Sequence, residues 1–323
     1  MQIVDFTLAH VEQAGHIAMQ NYEAERKFVS ALPVVEKLPD LADFATNKLG
    51  VTAIDGGELV GFLCWRSPID NLFGTSKGMW SPLHAHGAIK KGCANIYDRL
   101  YQAAAEKLMP EHVLSHGISL YEHDKDAKLS FLQNGFGSRC VDAIRSTGPI
   151  IGPVGGGLTF RQAMQDDAEV LADMSNMLGW HLSGSPMFMP FTNLTAAYDI
   201  AKDIESGDIE YFVAVENKKI VSYYCIQKDG ENFASNDASV INICGAYALP
   251  ETRGKGISVA LLSWLMNLLR ERGYLRCGVD FECFNYTARR FWLKYFTAYS
   301  DSVVRRIDER ICLSNTVSYT NRG

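Results

Sequence analysis

The stretch INICGAYALPETRGKGISVALLSWLMNLLRERG, Ile241 to Gly273, decides how this chain is read. An apolar run ends at Pro250, and the loop ETRGKG follows. A helical pattern then begins, in which Ala260, Leu261, Trp264, Leu265, Leu268 and Leu269 form one apolar stripe. A strand passing through a glycine loop into a helix is a recipe for holding phosphate. The first N–H groups of a helix have no internal partner and lie at the positive end of its dipole. Gly254 and Gly256 let the backbone approach an anion closely and take positive φ, while Arg253 and Lys255 add charge. A P-loop is excluded because the chain has no GxxxxGK followed by Ser or Thr, and a dinucleotide fingerprint lacks its third glycine here. A purely structural strand-to-helix turn is the alternative.

On either side of this stretch the order of elements repeats. VTAIDGGELVGFLC (Val51 to Cys64) matches FVAVENKKIVSYYC (Phe212 to Cys225) at a spacing of 161 (212 − 51), each reading as strand, polar turn, strand. AKLSFLQNGF from Ala127 and ARRFWLKYFT from Ala288 stand at the same spacing (288 − 127). Two separate windows at one offset argue for a duplicated domain. Each half predicts early helices, a hairpin, a third strand (near Met79 to His86 and Val240 to Leu249), a long helix, a strand, a short helix and a last strand. The hairpin makes part of the sheet antiparallel and strand–helix–strand adds a crossover, so the fold class is α/β with a mixed (α+β) sheet. Between the halves, STGPIIGPVGGG breaks any regular element. The expected division is 1–147, a linker at 148–157, and 158–323.

ALPETRGKGIS followed by a helix resembles motif A of the GNAT N-acyltransferase superfamily, Gln/Arg-x-x-Gly-x-Gly/Ala. Arg253 and Gly256 match, and Ser258 replaces the final small residue. The family's Asn-x-x-Ala-x-x-x-Tyr stretch is similar to Asn285, Ala288 and Trp292, with tryptophan in the tyrosine's place. The resemblance covers roughly Leu158 to Cys312. The first half resembles the same fold with a worn motif: Ile89-Lys-Lys-Gly92-Cys-Ala94 has isoleucine where Arg or Gln is expected, and Phe131 stands at the tyrosine position. The resemblance therefore implies two tandem GNAT-like domains, the first a degenerate copy.

The resemblance further implies acetyl-CoA as donor and direct attack by an amine on the thioester. Backbone N–H groups of Ala246, Tyr247 and Ala248 would hold the pantetheine and the carbonyl, and Arg253, Gly254, Lys255, Gly256, Ile257 and Ser258 the pyrophosphate; Asn285 would contact the pantetheine arm. An indole is a poor proton donor, so Tyr286 and Tyr295 become the candidate general acids in place of Trp292. Glu282 and Asp280 alternate in VDFECF and share a strand face, from which a carboxylate could relay the amine proton. The acceptor is left as a small-molecule or peptide amine. The aromatic and Met-rich Leu178 to Asn193 either lines its pocket or packs within the fold. A non-catalytic acyl-CoA-binding or interaction protein is the competing reading, and a nucleotide-binding enzyme of another class a third.

Composition narrows the setting. Of 323 residues 47% are hydrophobic and 21% charged, an ordinary globular balance. The formal net charge of −6 disfavours a general nucleic-acid binder. The uncharged run Met174 to Tyr198 is broken by Pro186 and Pro190, so no membrane span is expected, and MQIVDFTLAH has no secretory pattern. Eight cysteines without a CxxC pair read as scattered buried thiols in a reducing compartment, the cytoplasm. His84 and His86, placed on one strand face, lack a third ligand, so no metal is expected.

Overall fold

A computed structural model describes residues 1–150 and 157–313. The expected linker at 148–157 therefore falls mostly outside the described residues. The chain begins with β1 (Gln2–Asp5), α1 (Val11–Arg26), α2 (Ala42–Thr46), the hairpin β2 (Gly50–Asp55) and β3 (Glu58–Cys64), then β4 (Gly78–Ser81) and β5 (His86–Ala88). Next come α3 (Cys93–Leu108), β6 (Ser115–Tyr121), α4 (Lys125–Gln133) and β7 (Gly137–Ser146). The second half repeats the order: β8 (Leu158–Gln162), α5 (Ala168–Ser183), α6 (Ala197–Ser206), β9 (Glu210–Glu216), β10 (Lys219–Gln227), β11 (Val240–Ala248), α7 (Ile257–Glu271), β12 (Arg276–Glu282), α8 (Tyr286–Tyr295) and β13 (Thr297–Arg306). The third strand expected in the first half is interrupted. Pro82 to Ala85 form a turn, so His84 lies in that turn and His86 opens β5.

The chain forms two compact units, and their boundary is not at residue 147. Of the described residues, unit 1 holds Met1–Phe28, Val35–Arg139 and those from Ser300 on, and unit 2 holds Val29–Val34 and those within Cys140–Tyr299. The reason lies in strand pairing. β13 pairs antiparallel with β6 of unit 1, from Ser300↔Tyr121 to Arg306↔Ser115. β7 pairs antiparallel with β12 of unit 2, from Arg276↔Ser146 to Glu282↔Cys140. The last strand of each half is thus built into the unit formed by the other half, which no local pattern records.

In unit 2 the strand order is β8-β9-β10-β11-β12-β7. Its pairs are antiparallel except β11 with β12, the crossover pair that α7 connects. One face of this sheet packs on α7 and α8 through Phe212, Tyr224, Ile241, Ile243, Cys277, Val279 and Phe281, against Leu261, Leu262, Leu265, Met266, Leu269 and Trp292. On the other face Tyr211, Val213, Tyr223, Cys225 and Tyr247 meet Leu171, Met174 and Ile200 of α5 and α6. Each fully buried leucine of α7 contributes about 1.5–3 kcal/mol relative to exposure. In unit 1 the order β1-β2-β3-β5 forms one sheet, and β6 lies between β4 and β13.

This exchange predicts that neither fragment 1–147 nor fragment 158–323 folds alone to a cooperative state. β6 loses β13 in the first, and β12 loses β7 in the second. Circular dichroism melts of the fragments, separately and co-expressed, check this. Two independent sharp transitions would contradict it.

Candidate functional site

The site follows from one local departure in the sheet of unit 2. β11 and β12 pair only from Val240↔Arg276 to Ile243↔Val279. Beyond that, β11 carries a bulge: Cys225 faces Gly245 and Ile226 faces Ile243, leaving Cys244 as the extra residue. A bulge adds twist and bends the strand. From there to Ala248 the edge of β11 is no longer paired with β12, and a cleft of about 680 Å³ opens between β11, α7 and α8.

Its mouth is the α7 entry. Pro250 to Thr252 make a 3-10 turn, anchored by the Thr252 hydroxyl donating to the Leu249 carbonyl at 2.7 Å. Gly254 (φ 76°) and Gly256 (φ 79°) take the left-handed conformation, and Gly256 caps α7. The first helical bond runs from Ala260 N–H to the Gly256 carbonyl, so the amides of Ile257, Ser258 and Val259 open the helix without an intrahelical partner. Arg253 donates from Nε to the Ala248 carbonyl at 3.0 Å, and its guanidinium lies 5.1 Å from the Tyr247 ring centroid. Arg290 and Lys294 add positive charge from α8. Donor amides, two left-handed glycines and three cations fit a phosphate-bearing ligand.

Of the residues that the sequence pointed to for the cofactor, Ala246, Tyr247, Ala248, Arg253, Gly254, Gly256, Ile257, Ser258 and Asn285 line this one cleft. Lys255 sits exposed in the loop, outside the lining. Asn285 caps α8, its Oδ1 accepting from Ala288 N–H at 3.2 Å. Of the proton-transfer candidates, Tyr295 lines the cleft, whereas Tyr286 is 57% exposed at the start of α8 and Glu282 ends β12, both outside the lining. Trp292 lines the cleft and is also core, packed on Tyr224, Phe291 and Phe296.

The cleft also contains residues that the sequence did not single out. Tyr224 donates its hydroxyl to the Ser258 carbonyl at 2.9 Å, tying β10 to the first turn of α7. Ser222 donates to the Tyr247 carbonyl at 3.1 Å. From the Leu178 to Asn193 stretch that the sequence did mark, Leu178 and His181 reach the cleft from α5, and burial, then the charge of Arg253, lower the pKa of His181. Only strand pairing reveals this grouping: Ser222 and Tyr224 are level with Ala248 and Ala246.

Asp280 lies just past the last β11–β12 pair, on the face opposite to Val279 and Phe281. It opens to solvent from a small recess lined also by Asp142, Glu231 and Cys244. The Cys140 thiol donates to its Oδ2 at 3.8 Å. Desolvation first, and then the charge of Glu231, push the Asp280 carboxyl up to about 6. All eight cysteines are free thiols, with Cys64, Cys93, Cys225 and Cys277 buried and Cys244 exposed. Among the described residues no His, Cys, Asp and Glu group is arranged to hold a metal ion, and no helix is long and apolar enough to cross a membrane.

Residues 180–296 match the acetyltransferase (GNAT) family. A search of curated proteins finds no match. Among solved structures, a GCN5-related N-acetyltransferase from Sphaerobacter thermophilus is similar with a TM-score of 0.54 and 13% identity, over 94% of this chain and 95% of that one. A GCN5-related N-acetyltransferase from Kribbella flavida has a TM-score of 0.43 and 12% identity, over 92% and 98%. A tandem GNAT protein from the clavulanic acid biosynthesis pathway has a TM-score of 0.43 and 12% identity, over 94% and 98%. The first of these shares the fold along nearly its whole length. The family match thus falls on residues 180–296, the stretch that holds the motif at Arg253 to Ser258, within a chain whose order of elements occurs twice.

Proposed function

We propose that unit 2 is an N-acyltransferase that takes acetyl-CoA as donor and the amine of a small molecule or peptide as acceptor. The observation that carries this reading is the continuous cleft, running from the open amides at the start of α7 to the parting of β11 and β12. In this reading Arg253, Gly254, Lys255, Gly256, Ile257 and Ser258 bind the diphosphate. The freed edge of β11 at Ala246, Tyr247 and Ala248 aligns the pantetheine, with Asn285 beside it. The coenzyme supplies a thioester, and the protein supplies alignment and proton transfer.

The parity of the strands supports a reading with two sides. Tyr224, level with Ala246, belongs to the sheet face that packs on α7 and α8, whereas Asp280 lies on the other face. The acceptor amine approaches from the Asp280 side. Its nitrogen bonds to the acyl carbon, the carbon–sulfur bond breaks, and the departing thiolate takes a proton from Tyr295. The amine proton leaves through water to the Asp280 and Glu282 carboxylates. The free thiols suit a reducing compartment, the cytoplasm.

A non-catalytic coenzyme-binding role has one observation in its favour, the buried Trp292 at the position of the family's tyrosine. Thiol release from acetyl-CoA with a panel of primary amines separates the two readings. Coenzyme retained without amine-dependent thiol release would leave a binding protein.

Three outcomes follow from this reading. Gly256→Trp places bulk at a left-handed cap and blocks the open amides. It is expected to weaken coenzyme A binding by at least about 100-fold in calorimetry while the fold is retained. Tyr295→Phe is expected to lower kcat by about 10²-fold, with the KM for acetyl-CoA little changed. For Asp280 the sign is fixed by the basic form acting: kcat/KM rises as pH passes upward through about 6. Asp280→Asn should remove that limb, and an unchanged pH profile would take Asp280 out of the reaction.

A further inference from the structure

Strand register gives a residue-by-residue correspondence between the two units. In unit 1 Gly61, Phe62 and Leu63 pair with Ala88, Gly87 and His86. In unit 2 Ser222, Tyr223 and Tyr224 pair with Ala248, Tyr247 and Ala246. The hairpins are offset by 161, so His86 stands where Ala246 stands, on the strand edge that lines the cleft in unit 2. At the same offset Ser119 answers to Asp280 and Asp124 to Asn285. The second pair share a local role, since Asp124 caps α4 by accepting from Ala127 N–H at 3.3 Å.

Three features fill the space in unit 1 that is open in unit 2. First, the His86 ring is buried and bridges what would be the cleft. Its Nε2–H donates to the Ser119 carbonyl of β6 at 2.6 Å, and its Nδ1 accepts from the Tyr97 hydroxyl of α3 at 2.9 Å. Second, Lys90 of the strand-to-helix loop is salt-bridged at 2.9 Å to Asp124, latching that loop onto the start of α4. The Cys93 thiol also lies 4.0 Å from Asp124 Oδ1. Third, the loop is shorter. Ala88 to the cap Gly92 is four residue steps, whereas Ala248 to the cap Gly256 is eight. Unit 1 lacks the 3-10 turn and the first glycine turn that carry Thr252, Arg253 and Gly254.

We infer that the slot of unit 1 is closed by its own side chains, with the His86 imidazole as an internal plug and Lys90–Asp124 as the latch, so that the chain takes one coenzyme A, in unit 2. The inference rests on the reading of unit 2 as a coenzyme-binding unit. The plug is chemically self-consistent. Both ring nitrogens are used, which fixes the Nε2–H tautomer. Burial lowers the His86 pKa to about 4 against the raising effects of the Ser119 carbonyl and the Asp124 charge. A neutral ring with both nitrogens satisfied has no reason to leave for a ligand.

Two measurements on the full-length protein test this. Native mass spectrometry with coenzyme A should find one bound per chain in the wild type and none in Gly256→Trp. Two bound in the wild type, or one kept by a folded Gly256→Trp, would overturn the inference. Nitrogen NMR of the His86 ring should report the Nε2–H tautomer, no titration from pH 5 to 9, and no shift on adding coenzyme A. A ring that titrates near 6.5, or moves when coenzyme A is added, would also overturn it. If the wild type binds no coenzyme while His86 stays locked, the plug stands and the reading of unit 2 is what fails.

Discussion

The parting of β11 from β12 after Ile243 is the constraint on which unit 2 depends. A mixed sheet gains most when its strands stay paired along their length, and unpaired backbone groups are costly where water is excluded. Here the extra residue at Cys244 turns β11 away and leaves its last residues facing a cleft instead of a neighbour. The departure is held in place by its surroundings: the Tyr224 hydroxyl on the Ser258 carbonyl, Ser222 on the Tyr247 carbonyl, and Arg253 folded back on Ala248. The last two bonds join β10 and the loop to the edge that would otherwise relax, and the first ties β10 to the start of α7.

The same junction has the opposite outcome in unit 1. Its third strand breaks into β4 and β5 across Pro82 to Ala85, and β5 carries a histidine where unit 2 has an alanine. An imidazole is large enough to span the gap, and it offers one donor and one acceptor, which Ser119 and Tyr97 satisfy. An open cleft and a filled core therefore differ at this point by one side chain and four loop residues. Two copies of one fold can diverge in this way while each keeps its hydrophobic layers intact.

The exchange of β7 and β13 changes what a half of this chain means. The element order repeats cleanly along the sequence, yet each compact unit is completed by a strand from the other repeat. Such an arrangement couples the stability of each unit to the presence of the other without any new interaction type. It uses the same antiparallel ladders that a single domain would form within itself.

Much of the site was legible in advance because its signal is local. Arg253 to Ser258 announce a helix entry by glycine placement and the following apolar stripe, which depend on neighbours within one turn. Tyr295 could be named as a donor but not told from Tyr286, since both lie on α8 and only packing decides which faces the cleft. Glu282 and Asp280 alternate as expected, but it took the β11–β12 register to single out Asp280 at the opening. By itself, the sequence determined the element order, the duplication and the glycine-turned entry of α7, because periodicity and glycine chemistry are written in adjacent residues. Tertiary structure alone decided which strand completes which unit, which tyrosine lines the cleft, and that His86 fills its counterpart, because these turn on pairings between residues far apart in the chain.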